Sequence, residues 1–356
     1  MTFGWRLFAP CMLLLLAACA AEPRVMKFDA PGDAGQRLFP APETQEVPRY
    51  RFVGQLVGET NFRPKEGGAQ RSSGRRLLAL IAGLDEKPEE AVLLVRPQSG
   101  VVDAAGRVLV TDVGRNAVFV FDEAAGKLEV WDKATRTESF ASPIGIALGR
   151  GGELLVTDSD LGRVFRFSPE GRPLGEFGAG LLLRPTGIVR DAGRGRVYVA
   201  DTRAHDIKVF DDDGRHLATW GQRGDGPGEL NYPTHLALSE GTLIVSDSMN
   251  ARVQGFDENG KPVLHFGKRG LYVGNLVRPK GVAADDEGNL YVVESMHDNL
   301  LVYDRTGHFL MALPGSDADN GRFHLPAGVW VDARNRVYVA DMFNGRVAVF
   351  QFLGGN

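Results

Sequence analysis

One block recurs six times along the chain, and this repetition constrains the fold more than any local feature does. Each block holds a proline, a short apolar run, a turn, a second apolar run ending in an acid, and a third run ending in an aromatic. The prolines are Pro97, Pro143, Pro185, Pro233, Pro279 and Pro326. The acids are Asp112, Asp158, Asp201, Asp247, Glu294 and Asp341. The aromatics are Phe121, Phe167, Phe210, Phe256, Tyr303 and Phe350, nine residues after the acid in every copy. Second runs such as Val197-Tyr-Val-Ala, β-branched and aromatic and bounded by Gly and Asp, read as buried strands. Turns at Gly171, Gly214, Gly260 and Gly307 supply the positive φ of a tight hairpin and lead into a fourth, more polar strand.

Four strands in each unit, at 42 to 48 residues from proline to proline, make a propeller blade. The expected fold is all-β: a six-bladed β-propeller of four-stranded antiparallel blades. Linear stacking would require polar capping repeats, and neither end shows one. The sixth unit stops at Phe350-Gln-Phe-Leu without a fourth strand, while Tyr50 to Glu59 reads as a fourth strand ahead of the first unit. The N-terminal strand is therefore expected to complete the last blade, leaving no sheet edge open. Residues 49–356 form a single domain on this reading. It is interrupted at about 60–96 by an insertion in which Leu77-Leu-Ala-Leu-Ile-Ala-Gly-Leu84 reads as a short helix, its charges opposing the helix dipole.

The motif Pro-x-Gly-Ile/Val-Ala followed by Val-x-Asp-x-x-Asn-x-Arg-Val-x-x-Phe resembles the NHL repeat. Its fullest copies run from Val245 to Phe256 and from Val339 to Phe350. Elsewhere the Asn gives way to His297, Ala204, Leu161 or Arg115, and the Arg to Ala117, Asp206 or Asn299. The resemblance implies a propeller over 97–350 and, through closure, back to about residue 50.

The first eighteen residues resemble a lipoprotein signal peptide. Arg6 precedes an apolar run of about 12 residues, too short for a bilayer span of roughly 20. The run ends in Leu16-Ala17-Ala18-Cys19, which resembles the bacterial lipobox and implies a lipid, palmitate included, on Cys19. Cleavage there would leave that acylated residue as the sole cysteine, consistent with an oxidising compartment. Residues 19–48, with five prolines among Ala, Glu, Asp and Gly, read as a tether. The design as a whole is similar to bacterial lipoproteins with NHL propellers. It implies the periplasmic face of the outer membrane, with Cys19 as the membrane contact.

Strand direction sorts the loops. The prolines and the loops between second and third strands share one face, the top. The six acids would ring that face and are expected to fix their own turns through backbone N–H groups and the downstream Arg163, Arg252 and Arg346. His205, His235 and His297 also belong on top, and His235 stands where four other units carry glycine. Neutral imidazoles from neighbouring blades are zinc-type ligands, so a zinc or calcium ion in the central channel is the cofactor this pattern allows, though none is required. One NHL propeller, peptidyl-hydroxyglycine lyase, uses histidine-bound zinc, and the resemblance thus permits a lyase or hydrolase. Arg115, Asp160, Arg203, Met249, Asn250, Lys280, Met296, Phe343 and Asn344 complete the expected ligand-facing set, Met being adaptable at recognition surfaces.

Other chemistries lack support. Gly-x-Ser-x-Gly, phosphate-loop, His-Glu-x-x-His and Cys-x-x-Cys patterns are missing from the sequence. A formal net charge of −4 gives no drive towards nucleic acid, and none is expected as a partner. The expected role is a binding or scaffolding propeller for a protein, peptide or glycan. Behind it stand the metal-dependent enzyme and, more distantly, an accessory subunit of an envelope enzyme or electron-transfer complex.

Overall fold

A computed structural model describes residues 24–30, 37–65, 90–314 and 322–354. Six antiparallel sheets stand around a central axis. The first blade runs Pro97–Val102, Val108–Asp112, Ala117–Asp122 and Lys127–Trp131, from the axis outwards. The next four repeat this order, with inner strands Pro143–Leu148, Pro185–Asp191, Pro233–Ser239 and Pro279–Ala284. Consecutive inner strands touch, and that of the sixth blade, Val329–Val331, touches the first. The ring is closed.

The seal is the expected one. Tyr50–Leu56 pairs antiparallel with Arg346–Phe352, with Val347 opposite Leu56 and Phe352 opposite Tyr50. Leu38–Phe39 adds a fifth strand outside it. The six closing aromatics are all buried, at most 2% exposed, and they pack between neighbouring sheets. Each apolar cluster draws on two adjacent blades: Val118, Val120 and Leu109 of the first meet Ile146, Phe165 and Phe167 of the second. Sheets packed this way stabilise each other and not themselves, so the ring folds as a unit.

The glycine of Pro-x-Gly has a steric cause. A Cβ at Gly145 would lie 2.2 Å from the Thr186 carbonyl, and one at Gly328 would lie 2.2 Å from that of Gln98. Inner strands approach so closely that only glycine fits there. Hydroxyls then stitch blade to blade. Thr111 donates to Ile144 O at 2.6 Å, Thr157 to Thr186 O at 2.6 Å, Thr202 to Pro233 O at 2.6 Å and Ser248 to Pro279 O at 2.5 Å.

One stretch differs from expectation. Part of the proline-rich segment folds onto the ring: Arg24–Met26 pairs with Phe62–Pro64, Asp29 bridges to Gln55, and Met26 is buried. The ends of the insertion also lie against the ring: Phe62–Pro64 is the strand that receives Arg24–Met26, Leu93 bridges back to Gly58 and Leu94 enters the core. Leu77 to Leu84, like Cys19 and the signal sequence, lie outside the described residues.

Candidate functional site

The top face is built on the six acids, all with no exposed surface. Asp112 accepts from Gly114 N at 2.7 Å and Arg115 N at 3.0 Å in its own turn. It also accepts from Val95 N at 2.7 Å and Arg96 N at 3.0 Å in the segment that leads into the blade. Asp158 repeats this with Asp160, Leu161, Ala141 and Ser142, and Glu294 with Met296, Val277 and Arg278. Asp201 holds Leu183, Arg184 and Ala204. Charge-assisted bonds of this kind are the strong ones. With their oxygens committed to N–H groups, the acids lock two loops together and do not form a cation cage.

Arginine completes only two of these turns. Arg252 Nε donates to Asp247 and Arg346 Nε to Asp341, both at 2.7 Å. Burial pushes the Asp341 carboxyl up, against the opposing pull of Arg346. Arg163 does not reach Asp158; its guanidinium pairs with Glu176 at 2.9 Å and Glu138 at 3.2 Å. Asn250 and Asn344, expected to face a ligand, are turn locks. Asn250 Nδ2 bonds Asp247 and Gly224 O, and Asn344 Nδ2 bonds Asp341 and Arg322 O, all at 2.8 Å.

The histidines do not converge. Among the described residues no three His, Cys, Asp or Glu side chains stand close enough to hold a metal, so His205, His235 and His297 are not a ligand set for zinc or calcium. His205 is buried, and its Nδ1 accepts from Tyr232 N at 3.2 Å while the two rings pack edge to face. Burial, and next the Arg223 charge, depress its pKa. His297 is half-buried on its own blade.

His235 has a different situation. It is only 8% exposed and neither ring nitrogen has a hydrogen-bond partner. The carbonyls of Gln98 and Lys280 approach the ring without reaching hydrogen-bond geometry. Gln98 belongs to the blade opposite in a six-fold ring, so the imidazole lies on the axis and plugs the channel. Burial, reinforced by the Lys280 charge, lowers its pKa to about 4 and keeps it neutral. The half-buried Lys280 has its own pKa lowered by desolvation, then by Arg278.

Around this plug the rim is basic and apolar. Arg96, Arg184 and Arg278, each one residue before a blade proline, are exposed and make no ion pair among the described residues; the same holds for Arg203 and Arg223. Arg115 is exposed too, its Nε on Leu93 O. Asp132, Asp160 and Asp225 add exposed acids. Met249, Met296 and Phe343 stand outwards beside them, as do Leu183 and Tyr232. The arginines before proline recur in alternate blades, a signal present in the sequence at 96, 184 and 278.

An NHL repeat family model matches residues 182–210. Protein brain tumor of Drosophila melanogaster is 30% identical over 128 residues, covering 35% of this chain and 12% of that protein. Solved structures resemble the fold at low identity. Virginiamycin B lyase from Staphylococcus aureus matches with a TM-score of 0.54 and 15% identity over 73% of this chain and 86% of its own. A gluconolactonase from Xanthomonas campestris gives 0.56 and 16%, over 74% and 90%. A chain of the nidogen/laminin complex gives 0.52 and 21%, over 71% and 90%. Repeat, sheet count and ring closure agree: this chain is a six-bladed β-propeller that carries an NHL repeat at 182–210.

Proposed function

We propose that this propeller is a binding module whose top face docks a protein or peptide, and that a lipid on Cys19 holds it at the periplasmic face of the bacterial outer membrane. The observation that carries the reading is the rim itself. Five exposed arginines without acidic partners among the described residues share that face with Met249, Met296, Phe343, Leu183 and Tyr232, and Arg, Met and aromatic residues are the types enriched at interface cores. Buried acids fix the loops beneath them, so little conformational entropy remains to be lost on docking. Protein brain tumor and the nidogen/laminin complex lend the reading support as relatives of like fold.

Catalysis at the channel mouth is the second reading, favoured by the unpartnered imidazole of His235 and by the lyase and lactonase among similar folds. A scan with a photo-crosslinking residue separates the two. Placed at 115, 249, 296 or 343 it is expected to give discrete protein adducts, and at the bottom turns 151, 171 and 259 none. Adducts from the bottom alone, or lactone turnover that disappears in His235→Ala, would displace the docking role.

A further inference from the structure

Two top loops in neighbouring blades have the same backbone and opposite tips. One is Gly221-Gln-Arg-Gly-Asp-Gly-Pro-Gly-Glu-Leu230; the other is Gly267-Lys-Arg-Gly-Leu-Tyr-Val-Gly-Asn-Leu276. In each the third and tenth residues form a parallel bridge, Arg223 with Leu230 and Arg269 with Leu276. Leu230 N donates to Gln222 O at 2.8 Å, and Leu276 N to Lys268 O at 2.9 Å. Glu229 N donates to Gly226 O at 3.1 Å, and Asn275 N to Tyr272 O at 2.9 Å. Positive φ falls at the first and eighth positions of both, and both terminal leucines are fully buried.

The fold therefore needs nothing from the three tip residues, since Asp225-Gly226-Pro227 makes the same loop. Yet Leu271, Tyr272 and Val273 are 85%, 83% and 65% exposed. Three adjacent large apolar side chains in water, with no structural return, mark a contact site. They extend an existing patch: Arg269 Nη2 bonds the carbonyl of the exposed Met249 at 2.7 Å. Lys268 and Arg278 flank the tip, exposed and without acidic partners among the described residues.

We infer that the Leu271-Tyr272-Val273 tip is the apolar anchor of the docking face, inserting into an apolar pocket, rimmed by acidic side chains, on a partner protein. The inference rests on the docking role proposed above and names its central contact. Unpaired cations beside the tip call for an acidic rim, and a protruding Leu-Tyr pair is a pocket-filling shape. A lipid surface would suit the same residues, but the chain's amino-terminal side argues against it. The Arg24 carbonyl lies against Gly126, in the turn between third and fourth strands of the first blade. That turn is on the bottom face, so an anchor at Cys19 would leave the top pointing away from its own membrane.

Grafting the sister tip tests this with the fold preserved: L271D, Y272G and V273P together, in the full-length protein. Its melting temperature is expected to match wild type. A photo-crosslinking residue at 272, in the organism's own cells, is expected to yield one adduct. The protein identified from it, once purified, should bind the grafted variant at least tenfold more weakly than wild type. Failure to obtain an adduct at 272, or an affinity changed less than twofold by the graft, would overturn the inference. So would tip-dependent sedimentation with vesicles of 30% phosphatidylglycerol in phosphatidylcholine. If adducts persist at 249 and 343 while the graft binds normally, the anchor is wrong and the docking role stands. Should every top position fail, the docking role itself falls.

Discussion

At the residue scale, one position explains both the motif and the larger of its two exceptions, His235 and Ser99. Gly145, Gly187, Gly281 and Gly328 let inner strands close in on one another, whereas the equivalent His235 sends a side chain across the axis instead. That ring is buried and neutral, with a pKa of about 4 against about 6.5 in an unfolded chain. A histidine whose folded pKa is depressed is protonated first in the unfolded state. Its stabilising contribution is therefore complete above about pH 6.5 and is lost as pH falls towards 4, amounting to about 3 kcal/mol. Denaturant unfolding of wild type and His235→Ala at stepped pH should show the variant gaining on wild type by that amount between pH 7 and 4. Parallel curves would place the imidazole in water, not in the channel.

At the element scale, a small set of hydroxyls adds blade-to-blade hydrogen bonds to the apolar packing between sheets. Thr157 Oγ1 accepts from Gly145 N at 2.8 Å and donates to Thr186 O in the next blade. Thr157→Val keeps the shape and leaves two buried groups unpaired, at a cost of about 2 to 3 kcal/mol, while Thr157→Ser should cost less than half of that in the same denaturation assay. Equal losses for both would assign the effect to packing. Such ties also set the limit of what could be read from sequence. The closing strand was legible because Phe350 is followed by no fourth strand and Tyr50 begins one. Arg24–Met26 was not: a three-residue edge strand among prolines carries no period. The partner of Arg163 was hidden as well, because Glu138 and Glu176 lie on the preceding loop and the fourth strand, and only the fold brings them to it. The His235–Gln98 approach spans half the ring, beyond any local pattern. The tip at 271–273 was visible as three apolar residues, but its meaning needed the backbone of the sister loop.

At the scale of the molecule, a closed ring displays one basic, apolar face on loops that buried acids hold in place, and Arg24 lies against a turn of the opposite face. Rigid display requires that the ring not open at the seam where the two ends of the propeller pair, between Tyr50–Leu56 and Arg346–Phe352. The chain contributes Tyr50 and Phe352 to that seam from opposite ends of the propeller, and their rings lie 5.2 Å apart. Native-state hydrogen exchange of the full-length protein reads the seam directly. Amides of 52–56 and 347–351 should exchange only through global unfolding, with the same free energy as Leu290–Glu294 in the fifth blade. Exchange at the seam through a separate, lower-energy opening would contradict a sealed ring and the fixed top face built on it.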